Sequence, residues 1–441
     1  MSVENTTRKE ERGDLYCPYE HRNVKKPNSD IRSLANLVKS SLGSGILAIP
    51  LAFSHSGWGL GIVGTIIISI ICTHCVHIFV SSSYTCCVIE RQPSMSYAET
   101  CHAAFANGPK GVRPYASAAR AFAFLALLCT YLGVCCIFTV LIAESIKQLL
   151  DTYVQSFVLS TEYYCLILLV PLCILVQIKH LKFLAPLSLL ANIFLIATFV
   201  ICLYFIFEAK LDIKDKKVIG TWQEFPAFLS TVIFAMEGIG VVMPVENNMK
   251  KPQHFLGCPS VLVIAMGLVT VLYTVLGVFG YLRYGDVLRG TITLNLPMNH
   301  WLAICAKSFI ALSIFLTYPL HFYVVIDIIT NTVIKPYVKD QYVNIAGIAT
   351  RAAIVIGCGG VAMALPLLEQ IINIVGALFY SILGLIIPGI IDTVCKWDNL
   401  GKSKWILWKN ILIVLFGLTC AISGTMVTVF DIIRILGEKT E

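Results

Sequence analysis

The sequence predicts an all-α polytopic membrane protein of eleven transmembrane helices, arranged as two five-helix halves in inverted repeat plus one further helix. Three observations carry that prediction. Hydrophobic residues make up 57% of the 441 and charged residues only 13%, about half the charge of a soluble domain. The apolar residues gather in stretches close to the roughly 20 residues that cross a hydrocarbon core of about 30 Å. The first and sixth stretches are each interrupted near the middle by glycine, at Leu42-Gly43-Ser44-Gly45 and at Ala235-Met236-Glu237-Gly238-Ile239-Gly240.

Residues 1–31 are expected to be a disordered cytosolic tail. They are polar and carry Arg8, Lys9, Arg12, Arg22, Lys25 and Lys26 without the apolar core of a signal peptide. Asn5-Thr6-Thr7 spells a glycosylation sequon on the side of the membrane where it is not used. The first five-helix half covers 32–207, with spans at 32–53, 58–84, 115–146, 162–178 and 185–207. A charged outer loop, 208–224, follows; its Lys210, Asp212, Lys214, Asp215, Lys216 and Lys217 read as a solvated surface. The second half covers 225–391, with spans at 225–245, 258–282, 299–325, 346–366 and 369–391. A cytosolic loop at 392–404, the eleventh helix at 405–431 and a short outer or lumenal tail at 432–441 complete the chain. Five is odd, so the second half enters from the opposite side, which is the geometry of an inverted repeat.

Orientation follows from basic residues. With the N-terminus inside, 20 of the 33 Lys and Arg fall on the inner side, nine on the outer side and four within spans. The net charge of +7 therefore reflects topology and contact with acidic lipid, not nucleic acid. Most of the 17 cysteines lie inside spans, where free cysteine packs as a small hydrophobe. Cys72 and Cys75 read that way rather than as a zinc or redox pair, and no metal or cofactor is expected. Cys165 and Cys305 lie near outer ends, and whether they pair is left open.

A broken helix leaves free amides on one side and free carbonyls on the other, with partial positive and partial negative charge. A zwitterionic amino acid needs both. Gly43, Ser44 and Gly45 offer amides and a hydroxyl to its carboxylate; Phe234, Ala235, Met236 and Gly238 offer open carbonyls and backbone room to its ammonium. The alternative, that Gly43 and Gly45 only let helices pack closely, is weakened by the second break. Glu237 is an ionisable group at mid-span, a position that reads as functional by default; holding the unwound hinge is favoured over carrying a proton. Lys39 lies one turn before Gly43, either snorkelling to the cytosol or standing as a cation beside the break. Glu144, His321 and Asp327 are expected near interfaces, His74 and His77 as packed polar residues, and Lys307 has no account from sequence.

The segment from Asn36 through Lys39, Gly43 and Gly45 to Pro50 resembles the first-helix motif of the proton-coupled amino acid transporters. The segment from Phe234 through Glu237 and Gly240 to Asn247 resembles that family's sixth helix, and 293–297 and 315–320 are similar as well. The resemblance covers about 32–431 and implies the amino acid/auxin permease superfamily, a leucine-transporter-like fold, and small neutral amino acids such as glycine, alanine and proline as substrates. One departure bears on coupling: the family commonly has a histidine where this chain has Asn36, and an amide does not titrate near physiological pH. Sodium-coupled relatives carry asparagine at the position of Lys39, so an ammonium there argues against a sodium ion in that place.

The expected function is secondary active transport of small neutral amino acids by alternating access, proton-linked or weakly coupled, with Asn36, Lys39 and Glu237 as coupling or gating residues. The alternative is an amino-acid sensor that transports little and signals through its cytosolic tail. The chain shows no Walker loop, zinc-ligand set or nucleophile motif, so no enzyme is expected. Plasma membrane and lysosome are both open.

Overall fold

A computed structural model describes residues 16–438 except 25–26, 42, 44, 154–158, 179–180, 209–210, 212, 214 and 237. The described residues are helical almost throughout. The first span forms as two helices, α1 (Asp30–Ser41) and α2 (Gly45–Ser56), bent by 51° at the glycine break. Then come α3 (Trp58–Glu90), the short α4 (Tyr97–Ala106), α5 (Ala116–Tyr153), α6 (Thr161–Leu175) and α7 (Leu181–Glu208). The sixth span is also two helices, α8 (Phe225–Ala235) and α9 (Ile239–Asn247), separated at Met236–Gly238. The rest are α10 (Val261–Tyr284), α11 (Trp301–Ile329), α12 (Asp340–Ala364), α13 (Leu368–Cys395) and α14 (Trp405–Glu438).

Nine helices among the described residues are long and apolar enough to cross a membrane, and α1 with α2 makes ten. The stretch read as 162–178 forms the 15-residue α6, which at 1.5 Å per residue reaches about 22 Å. It ends where the Val176 N–H turns back to the Leu172 carbonyl, just before polar Gln177.

The broken spans form the centre of the bundle. In α2 every residue but His55 is buried, and α8 is buried from Ala227 onward save for Leu229. The apolar window of the sixth span is 76% buried, against 28% for the fifth and for Asp340–Ala364. Apolar faces of α7, α12 and α14 therefore point outward, as lipid-facing helices do. Helix α11 packs against α5 and α7, and α10 against α2 and α3.

Residues 16–24 and 27–31 lie within the stretch expected to be a tail, and they dock onto the bundle. The Arg22 guanidinium forms a two-pronged ion pair with Glu246, at 3.0 Å to each carboxylate oxygen, and donates to the Pro93 carbonyl. Asn28 pairs its backbone with Asn248 and Lys250, and His254 bonds Asp30 at 2.6 Å. Glu246 sits at the end of α9 with 3% of its surface exposed, and a charge so buried needs a partner. Arg22 supplies it.

Candidate functional site

Helix α10 sets the geometry of the breaks. Its Tyr273, Gly277 and Gly280 share one face at helical spacing. A methyl built on Gly280 would lie 2.7 Å from the Pro50 ring, and one on Gly277 would overlap Phe53, so these glycines let α2 lie directly on α10. That close packing brings Tyr273, one turn further along, to the break itself. Tyr273 is fully buried, and its hydroxyl reaches the Ser41 carbonyl at the end of α1 and, at 2.7 Å, the Ala235 carbonyl at the end of α8.

The two breaks touch. A methyl built on Gly45, the first residue of α2, would lie 2.8 Å from the Ala235 Cα. One on Gly238, which precedes α9, would lie 3.2 Å from the Ser41 hydroxyl oxygen. Gly240 gives room in the same way to the Tyr131 hydroxyl from α5.

Beside the breaks lies a cavity of about 580 Å³. Asn36, Lys39, Gly43, Gly45, Phe234, Ala235 and Gly238 all line it, so seven of the ten residues singled out from sequence share one wall. Met236 does not: it is 2% exposed and packs into the core as the cap of α8. Ser44 and Glu237 lie outside the described residues. The opposite wall comes from α5, α7, α11 and α13, including Tyr131, Phe138, Ser188, Asn192, Thr317, His321 and Tyr380. Tyr380 ends a wide π-helical turn of α13, Val375–Tyr380, a distortion often found at functional sites.

Two placements differ from the sequence reading, and that of Lys39 bears on the alternatives it left open. The Lys39 ammonium is half-buried and donates to the Ser188 hydroxyl of α7 at 2.5 Å, so it spans the cavity wall instead of reaching for solvent. His321, expected at an interface, lines the cavity between Tyr131 and the edge of Phe138, with ring centres 6.0 and 5.1 Å away. The Ala235 carbonyl, read as open to an ammonium, already accepts from Tyr273. Lys307 gains an account: it is buried in α11 and donates to the Gln148 side-chain oxygen at 2.6 Å. His74 meets Lys409 at 2.9 Å, beside the buried Asp392 that Asn410 and Lys396 also hold. All 17 cysteines are free thiols, Cys165 and Cys305 among them.

The cavity reaches the end of the bundle where Asn28, Asn248 and Tyr323 lie. At the other end Phe53 meets Phe228 edge-on at 6.4 Å, and Phe225 stacks on Phe228. Above them the connection before α8 is tied down: Gly220 N–H donates to the Ser56 carbonyl and Gly59 N–H to the Val218 carbonyl. His55 bonds Glu369 at 3.0 Å across α2 and α13. This is a central site closed at one end of the bundle and reaching the other.

The description transmembrane amino acid transporter protein matches residues 26–430. The chain belongs to the transmembrane amino acid transporter family. Within that family it is similar to the Drosophila melanogaster "Proton-coupled amino acid transporter-like protein pathetic", at 37% identity over 96% of this chain and 89% of that protein. It is also 29% identical to "Vacuolar amino acid transporter 4" of Saccharomyces cerevisiae, over 71% of this chain and 42% of that protein. Among solved structures it is similar in fold to the inward facing conformation of Mhp1, with a TM-score of 0.56 at 13% identity, covering 96% of this chain and 92% of that one. The family's relatives are named as transporters, so the chain is a multi-pass membrane protein of amino acid transport and not an enzyme.

Proposed function

We propose that this family member carries small neutral amino acids across its membrane by alternating access, as a secondary active transporter. The observation that carries the reading is the single cavity wall formed by both broken spans. There the amino end of α2 at Gly43 and Gly45 offers partial positive charge to a carboxylate, and the carboxyl end of α8, beyond the Ala235 carbonyl that Tyr273 engages, offers partial negative charge to an ammonium. Phe234, Tyr131, Phe138 and Tyr380 narrow the space around these ends, which favours glycine, alanine and proline over bulkier amino acids. We place Ser44 and Glu237 in the same site on sequence grounds.

The architecture we favour is eleven spans in a 5+5 inverted repeat, with the sixth span the counterpart of the first and the N-terminus cytosolic. The short α6 then counts as the fourth span, crossing a locally thinned region. On that orientation the cavity reaches the cytosol, and the layer of Phe53, Phe225 and Phe228 closes the outer side.

Coupling is to protons, or weak. Asn36 cannot titrate, but His321 is the only histidine among the described residues that line the cavity, and it faces it from α11. The relative named proton-coupled supports this assignment. Names of both relatives as transporters favour transport over the sensor alternative. Reconstituted vesicles test the reading: labelled alanine accumulates when an inward proton gradient is imposed, and absence of flux alongside measurable binding would refute it.

A further inference from the structure

Two helices end at one point. The last turn of α1 presents the Ser41 carbonyl and the last turn of α8 the Ala235 carbonyl, and both are carboxyl ends bearing partial negative charge. Carbonyls so placed repel each other unless something positive lies between them. Two kinds of group meet that need: a donor hydrogen, or a hard monovalent cation of the sort that unwound carbonyls and half-helix carboxyl ends bind in transporters. The Lys39 ammonium, two residues before Ser41, does not serve, because it is committed to Ser188 on α7. What stands there is the Tyr273 hydroxyl, fully buried, whose one hydrogen is shared by two acceptors. A third oxygen is close by: the Ser41 hydroxyl is buried beside Gly238 and has no hydrogen-bond partner among the described residues.

We propose that Tyr273 is the positioning residue that joins the two helix breaks, and that its hydroxyl hydrogen occupies the place a sodium ion would take between the Ser41 and Ala235 carbonyls. The position is set by packing, since Gly277 and Gly280 on the same face of α10 are locked against Phe53 and Pro50. The phenol is neutral and fixed to the chain, so the breaks stay together without a dissociable ion, and the site works without sodium. This rests on the transporter reading for its consequence, but its test does not.

The test is thermal melting of the purified full-length chain in sodium chloride against choline chloride at one pH and ionic strength. Wild type melts at the same temperature in both. Tyr273→Asn removes the phenol, adds a carbonyl oxygen and leaves room for an ion, so it melts about 2 °C or more higher in sodium than in choline. Tyr273→Phe, which keeps the ring and loses only the hydroxyl, shifts in the same direction by less. A wild type stabilised by sodium overturns the proposal. So do variants that melt lower than wild type by the same amount in both salts, which is what a merely structural tyrosine would show. If Tyr273→Asn does not fold, Tyr273→Phe decides alone, and equal melting in both salts overturns the proposal. Alanine uptake read beside the melts separates the two readings: a wild type that melts as expected but carries no amino acid fails the transporter reading and leaves this one standing.

Discussion

Gly45→Ala against Gly43→Ala is a one-methyl comparison within a single break. The Gly45 methyl would lie 2.8 Å from the Ala235 Cα and 3.2 Å from its Cβ. The nearer atom is backbone, which cannot swing aside, so the first and sixth spans must separate at their breaks. Among the described residues the Gly43 methyl meets only the Ser40 carbonyl, at an ordinary 3.7 Å. Overpacking of this kind costs about 1–3 kcal/mol. If that cost falls on the state in which both breaks hold substrate, affinity weakens by about 5- to 150-fold, at 1.4 kcal/mol for each factor of ten. Gly43→Ala should change affinity by less than about threefold, since it adds no close contact. Concentration-dependent alanine uptake, normalised to surface protein by biotinylation, reads both variants. Equal impairment of the two, or a Gly45→Ala with wild-type KM, would show that the contact between breaks is not what shapes the site.

Competition against alanine uptake should rank glycine and proline far ahead of phenylalanine and arginine; equal inhibition by all four removes the size argument. Asn36→His puts a titratable ring on the cavity wall opposite His321, so uptake should depend more steeply on pH near 6.5 than in wild type, as a pH series of initial rates would record. Lys39→Ala should lower uptake equally in sodium and choline, because it removes the hydrogen bond to Ser188 and not a sodium site; a wild type that stops transporting in choline contradicts this. Arg22→Ala leaves Glu246 buried without its partner, which should cost about 3–5 kcal/mol of stability. The Arg22→Ala/Glu246→Gln double variant should recover part of that loss in a melting cycle.

Much of this organisation was legible in sequence because two signals are local. Apolar stretches report burial in lipid, and glycine at mid-span reports a break, as Gly43–Gly45 and Gly238–Gly240 do. What was not legible depends on partners distant in sequence. Lys39 and Ser188 are 149 residues apart, and Arg22 and Glu246 are 224 apart. Polar residues at the start of the chain read as a solvated tail until Glu246 is seen buried under Arg22. His321 was placed at an interface because its span was expected to end at 325; α11 continues to Ile329, so His321 lies two turns inside and turns to the cavity. Tyr273 had a faint signal, since Tyr273, Gly277 and Gly280 make a stripe of one large and two small residues on one helical face. Nothing in the stripe says what the hydroxyl meets.

The contacts also sort by which bodies they join. At the end of the bundle that the cavity reaches, the first and sixth spans are tied by the backbone pairing of Asn28 with Asn248 and Lys250, by Arg22 with Glu246 and by Asp30 with His254. At mid-depth they touch through Gly45 and Ala235, and Tyr273 bonds both. Across the cavity the contacts are different in kind: the flexible Lys39 ammonium donates to the Ser188 hydroxyl, and the Tyr131 hydroxyl packs against Gly240. Breaking a buried, two-pronged ion pair costs about 3–5 kcal/mol, whereas one half-buried hydrogen bond from an ammonium contributes about 1.5–3 kcal/mol. We therefore expect the pair of broken spans to part more easily from the wall of α5, α7 and α11 than from each other. A substrate held by both breaks would then travel with one wall of its own cavity, and Lys39 sits where that wall must part from the other.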